Sequence, residues 1–357
     1  MKLFIDARWV RIDYHDGISR YTAGLVRGFL ENHEAVTVLI HDKRQLDMLP
    51  DGVDYLLVNN PISWRELFIA RKLNQLGAEV VFSPLQVMGF WGRKYKLILT
   101  LQDIIYYRHP KPPTGLAWYV RLVWRLFHMA HWPQRWLLNR ADHVVTVSET
   151  SKGFIEQFRL TDRAITVVYN APSIESQIDT AQSETKNLIY MGSFMPYKNV
   201  ETLIKGVAEL PSNYRLHLLS KVSSERRSEL IKSCGDPSKV IFHNGVSDDE
   251  YVKLLQSSHC LVTATKEEGF GLPITEAQTL GVPVVCSDLP VLREVAGGGA
   301  LYFDADDATA FANRVLEIDD EACRKNIIAN AIDQSAEFTW SSSAKVLNEL
   351  ANNLLDK

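Results

Sequence analysis

The sequence lacks a long apolar run, a secretory leader and an excess of either charge. No stretch approaches the about 18 apolar residues that mark a membrane-spanning helix, and Lys2 leads straight into the strand-like segment Leu3–Asp6. We therefore expect no membrane span and no signal peptide, and we expect the protein to be cytoplasmic. A net charge of −4 argues against a chain built to coat nucleic acid.

Cysteine is also scarce, with four in 357 residues and no C-x-x-C pair. They are Cys234, Cys260, Cys286 and Cys323. Cysteines this few and this far apart in sequence indicate free thiols in a reducing compartment, and they argue against a disulfide scaffold. A chain of this length folds into about two domains without such help.

Short apolar runs alternate with helical patterns through both halves of the chain, as they do in α/β proteins with parallel sheets covered on both faces. Helical spacing predicts helices such as Ser19–Glu31 and Trp64–Leu76. The predicted strands are Leu3–Asp6, Val36–Ile40, Val80–Ser83, Leu97–Leu101, His143–Val147, Ile165–Val168, Asn187–Met191, Tyr214–Leu219, Val240–His243, Cys260–Thr263, Val282–Cys286 and Leu301–Phe303.

A polar segment with little periodicity divides the two halves. We expect an N-terminal Rossmann-like domain at 1–172, a linker at 173–186, a second Rossmann-like domain at 187–338 and a C-terminal helix within 339–357. Ligands of open parallel sheets bind beyond the carboxyl ends of the strands. Two such domains facing each other would enclose one cleft.

The second domain begins with a strand, a glycine turn, a cation and a helix start, which together resemble a phosphate cradle. Gly192 lets the backbone approach a ligand, and Lys198 can neutralise a diphosphate. Asn199 is placed to cap the helix, and Glu201 suits its first turn. A surface lysine after a turn is the alternative reading of this segment.

A glycine-rich loop between two glutamates carries the strongest signal. Glu268 precedes the loop, Pro273 suits the first position of a helix, Glu276 lies within that helix, and Gly281 ends it. The loop amides and the helix start favour an anionic ligand, while the carboxylates could accept hydrogen bonds from sugar hydroxyls. The alternative is a capped helix with Glu276 facing solvent.

The segment Glu268-Gly-Phe-Gly-Leu-Pro-Ile-Thr-Glu276 resembles the Glu-x7-Glu signature of retaining GT-B glycosyltransferases of family 4. The resemblance covers nearly the whole chain, because further motifs occur in the family's order. These lie at 16–21, 147–149, 168–170, 281–285, 288–294, 299–304 and 338–340. It implies two Rossmann-like domains across a cleft, with a final helix that returns to the first domain.

The resemblance also implies roles for residues. The catalytic residues would be Glu268, Lys198 and Gln102. The donor would bind at Gly17, Gly192, Ser193, Lys198, Lys221, Glu268, Gly269, Phe270, Gly271, Leu272 and Glu276. In this scheme Glu276 holds the ribose, Lys198 the diphosphate, and the loop after Glu268 the sugar.

Two positions depart from the family pattern. Ser193 stands where an arginine is common, so that Lys221 or Lys266 would have to supply the charge. Gln102 replaces a histidine beside the donor sugar, and its amide can hydrogen-bond but cannot titrate. We favour a positional role for this residue.

The implied activity is retaining transfer of a mannose-like hexose from a GDP- or UDP-sugar to a glycan or lipid-linked acceptor, in polysaccharide or lipopolysaccharide biosynthesis. No further cofactor is required, and no Asp-x-Asp motif flanks the site, so no metal is expected. The alternatives are a nucleotide-sugar epimerase or hydrolase and a non-catalytic nucleotide-sugar-binding subunit.

The segment Gly115–Arg140 is rich in tryptophan and arginine. One helical face would carry Trp118, Leu122, Leu126 and Met129. Two interpretations stand: a core helix with arginines that reach outward, or a basic aromatic surface that contacts the cytoplasmic face of the inner membrane.

Overall fold

The computed structural model describes residues 1–109, 118–174 and 185–356, with the backbone alone for Tyr119. Of the expected linker 173–186, residues 175–184 lie outside this range, as do 115–117 of the tryptophan-rich segment. The chain divides into two compact units. Unit 1 comprises 1–171 with 338–357, and unit 2 comprises 172–337.

Unit 1 is built on a seven-stranded parallel sheet in the order β3-β2-β1-β4-β5-β6-β7. The strands are β1 Leu3–Asp6, β2 Thr37–Ile40, β3 Asp54–Leu57, β4 Val80–Ser83, β5 Lys96–Thr100, β6 His143–Thr146 and β7 Ile165–Val167. The central strand β1 is buried along its whole length, and Phe4 pairs with Thr37 on one side and Val81 on the other. Burial on both faces explains the apolar run Leu3–Ile5, and the buried Asp6 that ends the strand is paired with Arg8.

The helices of unit 1 connect these strands. They are α1 Gly17–Glu31, α2 Ile69–Gln75, α3 Ile105–Arg108, α4 Trp118–His128, α5 Trp132–Leu138, α6 Glu149–Gln157 and, from the end of the chain, α14 Trp340–Leu355. Lys43–Met48 and Trp64–Phe68 form 3₁₀ helices. The helix predicted at Trp64–Leu76 is therefore split at Phe68, where a 3₁₀ turn changes to an α-helix.

Unit 2 has a six-stranded parallel sheet in the order β10-β9-β8-β11-β12-β13. The strands are β8 Lys186–Tyr190, β9 Tyr214–Leu218, β10 Val240–Phe242, β11 Cys260–Thr263, β12 Val284–Ser287 and β13 Leu301–Phe303. The helices are α7 Val200–Glu209, α8 Ser224–Lys232, α9 Asp248–Gln256, α10 Leu272–Thr279, α11 Pro290–Ala296, α12 Ala308–Glu317 and α13 Glu321–Ser335. Pro196–Lys198 and Pro237–Lys239 are 3₁₀ turns. The prediction of two Rossmann-like domains is confirmed.

Among the strands in the part of the chain that the structure describes, β3 alone was not predicted. This strand is at the edge of its sheet and has three exposed residues out of four, including Tyr55 and Leu57. An edge strand of this kind has no buried face to impose an apolar pattern. The other strands begin and end within two residues of the predicted bounds.

The last helix packs on α1 within unit 1, as the resemblance implied. Two glycines of α1 make the close approach possible. A Cβ at Gly24 would overlap the Trp340 ring, and one at Gly28 would overlap the Trp340 carbonyl. Asn32 at the end of α1 donates a hydrogen bond to the Ser341 carbonyl at 2.9 Å, and Ser343 donates one to the Tyr169 carbonyl at 2.8 Å.

Helix α4 contradicts the core-helix interpretation. The predicted face is exposed: 77% for Trp118, 51% for Leu122, 58% for Leu126 and 78% for Met129. The helix packs instead through Trp124, whose ring lies 5.0 Å from that of Tyr106. Apolar side chains occupy both sides of α4, so periodicity could not tell which side faces the protein. Among the described residues, no helix is both long and apolar enough to cross a bilayer.

Candidate functional site

The glycine-rich loop of unit 2 joins β11 to α10 through a turn that requires glycine. Gly271 has φ +106°, a conformation that side-chain-bearing residues rarely adopt, and a Cβ there would lie 3.2 Å from the Leu292 side chain. Pro273 is the second residue of α10, one position later than predicted, and still in the turn where its missing N–H is harmless. Gly281, with φ +67°, follows the end of the helix as expected.

The two glutamates of the signature lie in different environments. Glu268 is part-buried beside a pocket and forms an ion pair with Lys198. Glu276 is only 3% exposed, and its carboxylate accepts a hydrogen bond of 2.9 Å from the Tyr251 hydroxyl. Glu276 therefore does not face solvent, which contradicts the simple capped-helix alternative.

The loop after β8 brings Lys198 to this pocket. The Gly192 amide donates to the Ser220 hydroxyl at 3.2 Å, and the Tyr190 hydroxyl donates to the Ser193 carbonyl at 2.7 Å. Burial raises the pKa of the Tyr190 hydroxyl well above its ordinary value, so it remains a neutral donor. The loop ends in the 3₁₀ turn that carries Lys198.

Asn199 occupies the N-cap position of α7, but it does not cap the helix with its side chain. It has φ +52°, and its amide donates to the Ala305 carbonyl at 2.6 Å. The prediction of the position is confirmed, whereas the expected capping bond is absent because this amide instead ties the loop to the segment after β13. Glu201 lies in the first turn as predicted and pairs with Arg226 at 2.5 Å.

Backbone contacts fix the two loops to each other. The Lys266 amide donates to the Tyr197 carbonyl at 2.7 Å. On the other side, the Ser287 hydroxyl donates to the Thr265 carbonyl at 2.5 Å. The relative position of Lys198 and Glu268 is therefore set by main-chain hydrogen bonds as well as by their own ion pair.

The resulting pocket lies at the carboxyl ends of β8 and β11, two adjacent strands. It holds about 360 Å³ of empty space. Polar groups converge in it from Lys198, Thr265 and Glu268, while apolar residues such as Ile274 and Leu292 form its floor. A cation, a carboxylate and a helix start in one concave site are suited to a polar ligand that carries negative charge.

The other predicted cations of unit 2 lie elsewhere. Lys221 is exposed, and its aliphatic stem covers Gly245. Lys266 pairs with Asp306. Neither lysine lines the pocket, and Ser193 contributes its carbonyl rather than its side chain to the contact with Tyr190.

Sequence reasoning missed Arg226 and Tyr251. The Arg226 guanidinium donates to the Phe194 carbonyl at 3.2 Å, so it supports the loop that lacks the family's arginine. Tyr251, on α9, holds Glu276. Both contacts join residues 25 or more positions apart, and no local motif marks them.

The two predicted site residues of unit 1, Gly17 and Gln102, lie on different segments: Gly17 begins α1 and Gln102 follows β5. Gly17 begins α1, where the Asp16 carboxylate caps the Ser19 amide at 2.9 Å, and a Cβ on Gly17 would meet nothing within 4 Å. The fold of unit 1 therefore does not require glycine there. Gln102 follows β5 and donates from its amide to the Pro84 carbonyl at 3.3 Å.

No group of three or more histidine, cysteine, aspartate or glutamate side chains arranged to hold a metal ion occurs within 1–109, 118–174 and 185–356.

Two known families match this chain side by side. "Glycosyltransferase Family 4" matches residues 15–175, and "Glycosyl transferases group 1" matches residues 173–334. Both models describe glycosyltransferases, and together they span residues 15–334. The second match contains both loops of the pocket, and the first contains Gly17 and Gln102.

Individual proteins and solved structures are also similar to this chain. The O-antigen chain mannosyltransferase RfbU of Salmonella typhimurium is 30% identical over 185 residues, which are 51% of this chain and 52% of that protein. The match thus spans about half of that relative. The sucrose-phosphate synthase of Thermosynechococcus elongatus has a TM-score of 0.77 at 17% identity, over 100% of this chain and 99% of that one. HepE from Anabaena, in complex with UDP and glucose, has a TM-score of 0.73 at 16% identity, over 99% of each chain. The predicted GT-B fold class is confirmed.

Proposed function

We propose that this glycosyltransferase moves a mannose-like hexose from a nucleoside-diphosphate sugar to a glycan or lipid-linked acceptor, with retention at C1 and without a metal ion. The observation that carries the proposal is the Lys198–Glu268 ion pair in the pocket that Gly271 also lines. The likeness to an O-antigen mannosyltransferase supports mannose and a role in cell-surface polysaccharide synthesis. The HepE complex with UDP and glucose supports a nucleotide-sugar donor, and the donors we propose are a UDP- or a GDP-sugar.

In the proposed site Lys198 exchanges partners when the donor binds. Its ammonium leaves Glu268 and binds the diphosphate, whose negative charge grows as the C1–O bond breaks. Glu268, released from the ion pair, accepts hydrogen bonds from the sugar hydroxyls together with the loop Gly269–Leu272. The positive end of α10 favours the same charge.

The remaining predicted residues have supporting roles. Glu276, oriented by Tyr251, accepts hydrogen bonds from the ribose, and Gly17 and Gly192 allow backbone approach to the diphosphate. Gln102 positions the sugar with its neutral amide. The acceptor hydroxyl attacks from the face that the diphosphate leaves, and the departing oxygen takes its proton, so configuration at C1 is retained.

A donor panel tests this proposal. The protein is incubated with UDP-, GDP-, ADP- and dTDP-sugars in the presence of EDTA, and nucleoside diphosphate release is followed. Slow hydrolysis of one donor, with the α-configured sugar as the first product by NMR, is expected. Binding without release would favour the non-catalytic subunit that Ser193 and Gln102 leave open, and interconversion to a second sugar nucleotide would favour an epimerase.

We also infer that unit 1 contacts an anionic membrane surface. The sequence from 104 to 141 has six lysines and arginines and no acidic residue. Five arginines in and near this region form no ion pair with a described carboxylate: Arg65, Arg71, Arg121, Arg125 and Arg140. Exposed tryptophans accompany them at 64, 91, 118, 132 and 136. We call these ten residues the aromatic–arginine surface.

Three arginines of this surface, Arg65, Arg71 and Arg140, lie near aromatic rings. The Arg140 guanidinium lies 4.6 Å from the centre of the Trp136 ring, and Arg71 lies 5.8 Å from that of Phe68. Neighbouring tryptophans and arginines are suited to the headgroup layer of a membrane. The rings contact the apolar part of the lipids there, and the arginines contact the anionic headgroups. Flotation with vesicles containing phosphatidylglycerol is expected at low salt; its absence would overturn this part of the proposal.

A further inference from the structure

A second pocket lies in unit 1, at the carboxyl ends of β1 and β4. Trp9 follows β1, and Val87–Trp91 follow β4, its neighbour in the sheet. Water-sized molecules could fill about 230 Å³ of it, and concave, mostly apolar pockets are the usual sites of small-molecule binding. Ligands of parallel sheets bind at this end of the strands, so the pocket is placed where substrates of the fold are held.

The lining of this pocket is apolar. Its large side chains are Trp9, Leu67, Met88, Phe90, Trp91 and Leu137. The one ionisable group of the lining is Glu66, and both its carboxylate oxygens are occupied. They accept hydrogen bonds from Arg8 at 2.6 and 3.0 Å, from the Asn59 amide at 2.7 Å and from the Gly89 amide at 2.9 Å.

Glu66 therefore serves the structure of the pocket wall rather than a ligand. Its partner Arg8 is buried and also holds Asp6 at the end of β1. With that carboxylate engaged, the lining offers hydrocarbon surface to an occupant. A sugar, a nucleotide or a peptide backbone would lose hydrogen bonds to water in such a pocket, whereas a hydrocarbon chain would gain from burial.

The mouth of the pocket opens onto the aromatic–arginine surface. Leu67 is 59% exposed and Trp91 is 64% exposed. Two arginines without carboxylate partners stand beside them. Arg140 lies 5.5 Å from the centre of the Phe90 ring, and the Arg71 side chain runs past Gly92. An apolar interior with cations at its rim matches a hydrocarbon chain that carries an anionic head.

We propose that this pocket binds the hydrocarbon chain of a phosphate-bearing lipid acceptor, with Arg71 and Arg140 beside the phosphate. The inference rests on the proposed transfer to a lipid-linked acceptor and names the part of that acceptor that unit 1 recognises. The charges at the rim favour the phosphate-linked acceptor over a neutral lipid, and the concave apolar lining favours a chain over a flat membrane contact.

Photolabelling tests the assignment. A long-chain alkyl phosphate that carries a diazirine near the chain end is crosslinked to the full chain, and the labelled peptides are identified by mass spectrometry. Label is expected at 61–68 and 87–91, and unlabelled polyprenyl phosphate is expected to compete better than inorganic phosphate or phosphatidylglycerol. Label confined to the exposed face of α4, or equal competition by phosphatidylglycerol, would overturn the proposal.

Substitutions at the rim provide the matched comparison. Leu67→Asp places a charge at the exposed edge of the pocket, and labelling of 87–91 is expected to fall on the order of tenfold. Leu57→Asp, at an exposed leucine of β3 that lines no part of the pocket, is the control. Unchanged labelling in Leu67→Asp would contradict the proposal.

Donor hydrolysis is measured on the same samples. Both variants are expected to release nucleoside diphosphate at the unsubstituted rate, because neither residue touches the pocket of unit 2. Loss of pocket labelling with intact hydrolysis concerns the chain-binding inference alone. An unsubstituted protein that hydrolyses no donor would instead refute the proposed transferase, whatever the labelling shows.

Discussion

Charged residues near the two pockets have different partners. In unit 2, Lys198 pairs with Glu268 and Arg226 pairs with Glu201, so each cation has a carboxylate within its own unit. On the aromatic–arginine surface of unit 1, Arg71 and Arg140 lie over rings and have no described carboxylate partner. The site of unit 2 is organised internally, whereas we propose that an external anion completes the surface of unit 1.

The strongest test of the internally organised site is Lys198→Ala. Removal of a charge-stabilising donor at a reacting centre lowers turnover on the order of 10²–10³-fold, and nucleoside diphosphate release measures it. Lys221→Ala is the control, since that lysine is exposed and outside the pocket. Near-normal turnover in Lys198→Ala would remove the basis for calling this pocket the donor site.

Substitutions at two glycines of α1 distinguish a glycine that the fold needs from one that the donor needs. Gly28→Ala forces a Cβ against the Trp340 carbonyl and is expected to lower the free energy of unfolding by about 1–3 kcal/mol. Gly17→Ala meets nothing within unit 1, so its melting temperature should be unchanged while the KM for the donor rises. Thermal denaturation and donor kinetics measure the two effects. Equal destabilisation of both variants would show that Gly17 is also needed by the fold.

The double substitution Arg71→Gln and Arg140→Gln tests the proposed contact of unit 1 with an anionic membrane. Each arginine near an anionic bilayer contributes about 1 kcal/mol, so vesicle affinity should fall about 30-fold. Co-sedimentation with phosphatidylglycerol vesicles measures it. Arg44→Gln is the control, because Arg44 is exposed but pairs with Asp42 at 2.5 Å. A similar loss in Arg44→Gln would indicate that net charge, and not this surface, governs binding.

The smallest effect is expected for Tyr251→Phe. Loss of its hydrogen bond to the buried Glu276 should lower the free energy of unfolding by about 1 kcal/mol. If Glu276 holds the ribose, the KM for the donor rises as well. Urea denaturation and donor kinetics give both quantities, with Tyr55→Phe at an exposed tyrosine as the control. No change in either quantity would mean that Glu276 is held in place by its other neighbours.

The sequence permitted accurate prediction where local conformation restricts residue choice. Gly271 and Gly281 both have positive φ, and Pro273 lies in a first helical turn, so the loop and helix around the signature could be located. Buried strands such as β1 and β11 could also be predicted from the sequence, because strands that are buried on both faces consist mostly of apolar residues.

Contacts between distant residues could not be predicted in this way. Arg226 reaches Glu201 from another helix, and Tyr251 reaches Glu276, through side-chain geometry that no spacing records. The orientation of α4 was also undetermined. Apolar residues cover most of α4, on both sides of the narrow stripe formed by Arg121, Arg125 and His128, so the pattern did not show which apolar side packs on the protein. Only the fold shows that Trp118 and Met129 are exposed.

The return of α14 to α1 has a consequence for biosynthesis. The groove over Gly24 and Gly28 is filled by Trp340, which is translated after the whole of unit 2. Unit 2 is contiguous and can fold as it leaves the ribosome, but the first unit to be translated is the last to be completed. Until then its groove is an exposed apolar surface, which makes the nascent N-terminal half a natural client for chaperones.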